Sequence, residues 1–427
     1  MVGGTRGAVE LARRALPRGP TFVAERVAGS RSIALGVWIR CGSRHESKSQ
    51  AGLTHFLEHM IFRGTRKRSG LGLAKALEKL GGQVDASTGR ESTTLFARIQ
   101  PQHLRTSLTL LAEMISTPRL DAGLLEVEKK VVLEEIESYE DDPEEGLHDS
   151  VASFLWPDHP MGRPILGDPK VIRRFTADQI RAFHAERYRG GNIILTAAGA
   201  LEPDRFLDLA TEVFRVPGGG GRGRQPRLPR SSRGAAHFQK PLSRTYLGMA
   251  TRGPSYRDHR RYPVYLLNLI LGAGSSSRLF QRIREKEGLA YAVGSYVDSY
   301  EDTGAFGVSL SVDPRNLERT FQLLIKELKR LRREGIKKWE LESAKASMVL
   351  LHLLSQESVS DRMGRLALKE MLYGRQTPDG PVVETIRGVT ADDVDESLGH
   401  LLDPRRFCLV TVGPNEANGI RIRDFDF

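Results

Sequence analysis

The 427-residue sequence predicts a mixed helix-and-strand protein assembled from two related halves. Three observations carry that expectation. The length suits roughly two to three domains, with enough apolar content for sizeable cores. Short strand-like runs alternate with amphipathic helical stretches in both halves. Between the halves, residues 217–234 are rich in Gly, Pro and Arg and read as a linker. A Gly-rich phosphate cradle would need a strand before it and a helix after it, and neither is evident there.

Taken in order, the turn at Leu16-Pro-Arg-Gly19 leads into a strand at residues 21–24, and the apolar run 32–41 reads as a buried strand. A helix around His55-Phe-Leu-Glu-His59 follows, then a basic loop and a short helix on Leu73, Leu77 and Leu80 that stops at Gly81-Gly82. Residues 84–99 read as a strand pair around Gly89. Amphipathic helices follow, one on Leu104, Leu108, Leu111 and Ile115, another over 121–139 and a third over 178–186, before a short strand at 193–198.

After residue 234 the order restarts. Ser30-Arg31 leading to Gly36 is matched by Ser243-Arg244 leading to Gly248, and Pro101-Gln-His-Leu104 by Pro314-Arg-Asn-Leu317, an offset of 213 residues. Between these anchors, Tyr265-Leu-Leu-Asn-Leu269 up to Gly274 takes the place of His55-Phe-Leu-Glu-His59 up to Gly64. The apolar positions survive, and the two histidines and the glutamate do not. This is a duplication at domain scale, far longer than a solenoid repeat. The expected domains are 1–216 and 236–427, joined by 217–235.

The formal net charge of +11 is spread along the chain; its densest basic stretches are 63–68 and 326–333. No aromatic-interleaved basic motif accompanies it, so nucleic acid is not expected as a partner. No apolar run approaches a membrane span, and no membrane partner is expected. Cys41 and Cys408 each sit in an apolar run and suggest no disulfide framework. Residues 1–18 are Arg-rich and acid-poor like a transit peptide, but the strand at 21–24 follows at once. The expectation is therefore a cytoplasmic protein without a targeting segment.

The chemistry concentrates at His55-x-x-Glu58-His59, the inverse order of the H-E-x-x-H zinc motif. On a helix these three positions share a face, two imidazoles for a metal and one carboxylate beside them, with Leu53, Phe56, Leu57, Met60 and Ile61 opposite. A catalytic zinc site keeps three protein ligands and one open position. Helix 121–139 carries candidates for the third: of Glu126, Glu128, Glu134, Glu135 and Glu137, helical sorting places Glu128 and Glu135 mid-stripe among Leu124, Leu125, Val127, Val131, Val132 and Ile136. A carboxylate on an apolar stripe needs a metal or an ion-pair partner such as an arginine.

The run His55-Phe-Leu-Glu-His59-Met-Ile-Phe-Arg-Gly-Thr65, with Glu128 and Glu135, closely resembles the pitrilysin/insulinase family of zinc metallopeptidases, the inverzincins. It is most similar to the half-length branch of the mitochondrial processing peptidase β-subunit and its bacterial relatives. The resemblance continues through Tyr139-Glu-Asp-Asp-Pro143 and His159-Pro-Met-Gly-Arg-Pro-Ile-Leu-Gly167 and covers essentially the whole chain. In that family the third ligand follows the second histidine by 76 residues, the spacing from His59 to Glu135.

The resemblance implies an α+β fold with two homologous domains, each a mostly antiparallel sheet packed with helices. It implies one zinc ion (Zn2+) per chain on His55, His59 and Glu135, with Glu58 as general base on zinc-bound water and Glu128 as accessory carboxylate. Leu279-Phe-Gln-Arg-Ile-Arg-Glu-Lys-Glu-Gly-Leu-Ala-Tyr291 resembles the family's substrate-holding segment, which makes Arg284 and Tyr291 substrate-binding residues. Without the resemblance they would read as a surface arginine on a helix and a tyrosine in the next strand. Substrate would add as a strand beside Asp85 and Ala86, where the family has Asn-Ala. The acidic run 134–145 suggests a preference for basic residues in the peptide. The implied activity is endopeptidase cleavage of peptides or unfolded segments inside a closed chamber, by a homodimer whose sites are completed in trans. The other possibility is a non-catalytic or hetero-partnered core subunit of the same fold.

Overall fold

The computed structural model describes residues 10–221, 228–378, 380–414 and 420. It forms two compact units, and each is built on one sheet with helices on both faces.

The first sheet has six strands in the spatial order Leu11–Ala15, Thr21–Arg26, Ile193–Gly199, Ile33–Ile39, Thr93–Ile99 and Gln83–Thr88. The second has five, in the order Gly234–Gln239, Cys408–Gly413, Thr245–Arg252, Gly304–Val312 and Ala290–Ser299. Each contains one parallel pair, Thr21–Arg26 with Ile193–Gly199 and Gly234–Gln239 with Cys408–Gly413, and every other pairing is antiparallel. The duplication read from sequence is therefore a duplication of topology. The first sheet's extra strand, Leu11–Ala15, comes from the Arg-rich segment; residues 1–9 lie outside the described part.

The units are not consecutive stretches of chain. Glu137–Arg163 belongs to the second unit and Leu353–Thr377 to the first, so each half of the sequence supplies the other's sheet with a helix and the expected single break at 217–235 does not delimit the units. Helix Val359–Tyr373 lays Val359 and Met363 on Ala34 and Ala198 of the first sheet. Helix Pro143–Leu155 lays Leu147 and Val151 against Ala250, Cys408, Val410 and Val412 of the second. The matched glycines sit under these crossings. A Cβ on Gly36 would meet Met363 Sδ at 2.3 Å, and one on Gly248 would meet Val151 Cγ2 at 2.4 Å. Only a residue without a side chain admits a helix that close.

The opposite face of each sheet carries the main core. In the first unit Phe56, Leu57, Met60 and Ile61 of helix Leu53–Ile61 pack with Leu108, Leu111 and Ile115 of helix Leu104–Ser116. In the second, Leu266, Leu267 and Ile270 pack with Leu324, Leu328 and Leu331, the inward face of helix Leu317–Glu334.

The Gly-rich stretch corrects one expectation. Read as part of a linker, residues 217–221 are pinned where strand Ile193–Gly199 begins: Gly190 donates to Pro217 O at 3.0 Å, Gly191 to Gly219 O at 2.8 Å, and Gly221 to Asn192 Oδ1 at 2.9 Å. Backbone hydrogen bonds need no side chains, so composition gives no hint of them. Residues 222–227 of the expected linker lie outside the described residues. Among those described, no helix is long and apolar enough to cross a membrane.

Candidate metal centre

Helix Leu53–Ile61 buries Leu53, Phe56, Leu57, Met60 and Ile61, which anchors its apolar face to the first sheet. Its start has no capping side chain, because the N-cap is Gly52 at φ +91°. A buried carboxylate from outside the helix does that work. Glu46 accepts the backbone N–H of Gly52 at 2.9 Å and of Thr54 at 2.7 Å, which satisfies orphan donors and sets a negative charge at the positive end of the helix. His55 stands one residue beyond this clamp.

The clamp helps fix a three-residue cluster. Ligand atoms of His55, His59 and Glu135 all lie within 4.8 Å of one another. His59 Nε2 is 3.3 Å from His55 Nε2 and 3.2 Å from a Glu135 oxygen, and His55 Nε2 is 3.7 Å from the other oxygen. Burial, and then the neighbouring His59, push the His55 pKa down to about 4, so its ring is neutral with a lone pair to give. Burial also opposes charge on His59, but its hydrogen bond with Glu128 and the fields of Glu135, Glu128 and Glu58 win and raise its pKa. Two ring nitrogens facing each other beside a carboxylate form a pocket that stabilises positive charge. Two imidazoles and one carboxylate form one of the donor sets of catalytic zinc sites, so the residues fit the metal.

Glu128 takes a different place from Glu135. Its side chain is 2% exposed, one oxygen lies 2.9 Å from His59 Nδ1, and the other accepts Arg63 Nε. A carboxylate on the far nitrogen of a metal-binding histidine fixes tautomer and ring orientation. The two glutamates were expected together in mid-stripe. For Glu128 this holds: the buried line is Leu125, Glu128, Lys129, Val132 and Ile136, with Val127 and Val131 exposed, whereas the Glu135 side chain is 43% open. At about 100° per residue, Glu135 falls roughly 80° from the centre of that line and reaches its edge. Both alternatives weighed for these carboxylates occur, Glu135 in the metal cluster and Glu128 in an ion pair.

Glu58 points toward the edge strand Gln83–Thr88. Thr88 Oγ1 donates to its carboxylate at 2.5 Å. Burial raises the Glu58 pKa, more than Thr88 and His59 lower it, and Glu135 and Asp85 push the same way as burial. A carboxyl group lifted toward neutrality is suited to taking and returning a proton. On the same strand, Asp85 Oδ1 accepts the N–H of Ala86 at 2.8 Å, so a peptide strand claiming that N–H would displace the carboxylate.

Arg284 and Tyr291 lie in the second unit, each at a backbone irregularity. Arg284 is on a π-helical turn, Phe280–Lys286, with its guanidinium 4.9 Å over the Phe280 ring. Tyr291 is the unpaired residue of a bulge in the edge strand Ala290–Ser299, where the register passes from Ala290 to Ala292, and it is 66% exposed. π-Turns and bulges both concentrate at functional sites and re-aim side chains.

Sequence reasoning did not single out Glu46, Arg63 or Thr88. A glycine at the N-cap of the motif helix, with no side chain to cap it, was a signal for Glu46. The need of a buried Glu128 for a cation was a signal for Arg63. Thr88 had none.

The chain is similar to known proteins over most of its length. Residues 21–169 match the family described as insulinase (peptidase family M16), and residues 174–348 match the peptidase M16 inactive domain. An uncharacterized zinc protease of Mycobacterium tuberculosis is 34% identical over 412 residues, 94% of this chain and 93% of its own length. The uncharacterized zinc protease YmxG of Bacillus subtilis is 32% identical over 397 residues, 93% of this chain and 97% of its own. Among solved structures, a Helicobacter pylori protease aligns with a TM-score of 0.89 at 21% identity, over 95% of this chain and all of that one. A chain of Complex III2 from Candida albicans aligns at 0.84 and 17% identity, over 97% of this chain and 98% of its own. The family matches and these relatives show that the chain belongs to peptidase family M16, in a half-length, two-domain form.

Proposed function

We propose that the chain is a zinc-dependent endopeptidase acting on peptides or unfolded segments. The observation that carries this reading is the convergence of His55, His59 and Glu135 within 4.8 Å, next to a Glu58 whose pKa is raised by burial. His55, His59 and Glu135 would hold the zinc, which supplies Lewis acidity and an acidified water. Glu58 takes the proton of the attacking water and returns it to the departing amine nitrogen. Thr88 steadies that carboxylate, and Glu128 keeps the Nδ1 proton of His59 so that Nε2 presents its lone pair. Peptide lies as an added strand beside Asp85 and Ala86, held by its backbone.

The reading extends to a homodimer that encloses a chamber, with Arg284 and Tyr291 of each subunit completing the site of the other. Two free, buried thiols, Cys41 and Cys408, suit a reducing cytoplasmic setting.

The test is hydrolysis of an internally quenched peptide by the purified chain with and without chelator. Activity lost on chelation, restored by zinc and absent in a zinc-replete Glu58→Gln chain is expected. A second reading, a non-catalytic or hetero-partnered core subunit, draws on the fold shared with a chain of Complex III2. Bound zinc without hydrolysis of any peptide would favour it.

A further inference from the structure

We infer that Arg244, outside the expected substrate-binding set, joins Arg284 and Tyr291 in a site on the second unit that binds a carboxylate of the peptide substrate. The Arg244 guanidinium carbon lies 4.9 Å from the centre of the Tyr291 ring, and that of Arg284 lies 6.0 Å from the same centre. Two cations share one exposed aromatic ring. The ring attracts each of them, and their like charges add to the positive potential that an anion reaching the ring would meet.

The nearby carboxylates make their hydrogen bonds elsewhere. Asp313 holds Arg315 through two hydrogen bonds of 3.0 and 2.7 Å and meets Arg244 only through its field. Glu287 pairs with Arg282 at 3.4 Å and Arg319 at 2.9 Å. Among the described residues neither Arg244 nor Arg284 has an ion-pair partner, and Glu285, beside Arg284 in sequence, makes none with it. The bulge that turns Tyr291 outward leaves its ring 66% exposed, so a ligand carboxylate can meet guanidinium donors and a phenol together. Charge-assisted hydrogen bonds to planar guanidinium groups are the strong class of polar contact and match carboxylate geometry. The carboxylate is either the free C-terminus or an acidic side chain of a peptide. This inference rests on the peptidase reading for the nature of its ligand.

The experiment measures binding and cleavage separately. Fluorescein-labelled short peptides are titrated by anisotropy into the full-length Glu58→Gln chain, in pairs differing only as C-terminal acid against amide, or internal Glu against Gln. The expected result is about tenfold tighter binding of the acid member in one of the two pairs, which identifies the source. Arg244→Gln should bring that ratio close to one, with the amide or Gln member binding as before. In an otherwise active chain Arg244→Gln should raise KM for the acid peptide and spare kcat. Near-UV circular dichroism checks that the variant is folded. Equal affinity for both members of both pairs overturns the inference, as does a loss on Arg244→Gln that is the same for charged and neutral peptides. If peptides are cleaved without carboxylate discrimination, the function stands and this site falls. If nothing is cleaved but discrimination persists, the peptidase reading falls and the site stands.

Discussion

The carboxylate of Glu128 meets Nδ1 of His59 across 2.9 Å while its other oxygen takes Arg63. His59 is thereby held as the tautomer that leaves Nε2 free, and Glu128 stays ionised because His59 and Arg63 outweigh its burial. Glu128→Gln keeps the shape but loses the charge. Zinc affinity should fall about 10- to 100-fold, as read by competition with a chromophoric chelator. An unchanged affinity would remove Glu128 from the support of the metal.

Thr88 acts on Glu58 rather than on the metal. Thr88→Val preserves volume and removes the hydroxyl that donates at 2.5 Å. We expect kcat to drop about tenfold, as one lost charge-assisted hydrogen bond allows, with the zinc affinity of the parent chain. Weakened zinc binding would instead make Thr88 a general structural residue.

Glu46 tests how the motif helix is anchored. Its two oxygens serve two N–H donors, and in Glu46→Gln one of those donors faces an NH2 group. The cost should be on the order of 1–3 kcal/mol of unfolding free energy, measured by urea denaturation of the metal-free chain. A change within error would mean that the helix start is held by packing alone.

His45 makes the metal-free chain acid-sensitive. Burial, then Arg187 and Arg44, push its pKa down to about 4, and its Nδ1 accepts the N–H of Gly42 at 3.1 Å. The unfolded histidine takes up its proton near pH 6.5. The unfolded state therefore binds more protons between about pH 6.5 and 4, and stability falls as pH drops through that window. His45→Asn offers an acceptor that does not titrate. Its urea midpoint should fall less steeply with acid than that of the parent chain, and an identical slope would refute the assignment.

Completion of the site in trans predicts complementation. Glu58→Gln and Tyr291→Phe chains, each nearly inactive alone, should regain up to about a quarter of parent activity when co-expressed, because random pairing of two chains leaves one intact site in half of the dimers. No recovery in mixed dimers verified by mass would exclude shared sites.

Much of this was legible in the chain itself. His55, Glu58 and His59 are a local pattern, and helical spacing alone brings them to one side of one helix. The duplication was visible because its anchors, Gly36 with Gly248 and Leu104 with Leu317, recur at nearly constant offset. Why the two glycines match was not visible. Each lies beneath a helix supplied by the other half of the sequence, and nothing local records such an exchange.

The sequence by itself determined the metal-binding residue types, their helical face and the repeated order of strands, because those depend on periodicity within single elements. Only the tertiary structure decided that Glu128 spans His59 and Arg63, that Thr88 steadies Glu58, and that Arg244 joins Arg284 over Tyr291. Those are contacts between residues far apart in the chain. They are set by how sheet edges, bulges and packed helices bring backbones together, and side-chain periodicity carries no record of that distance.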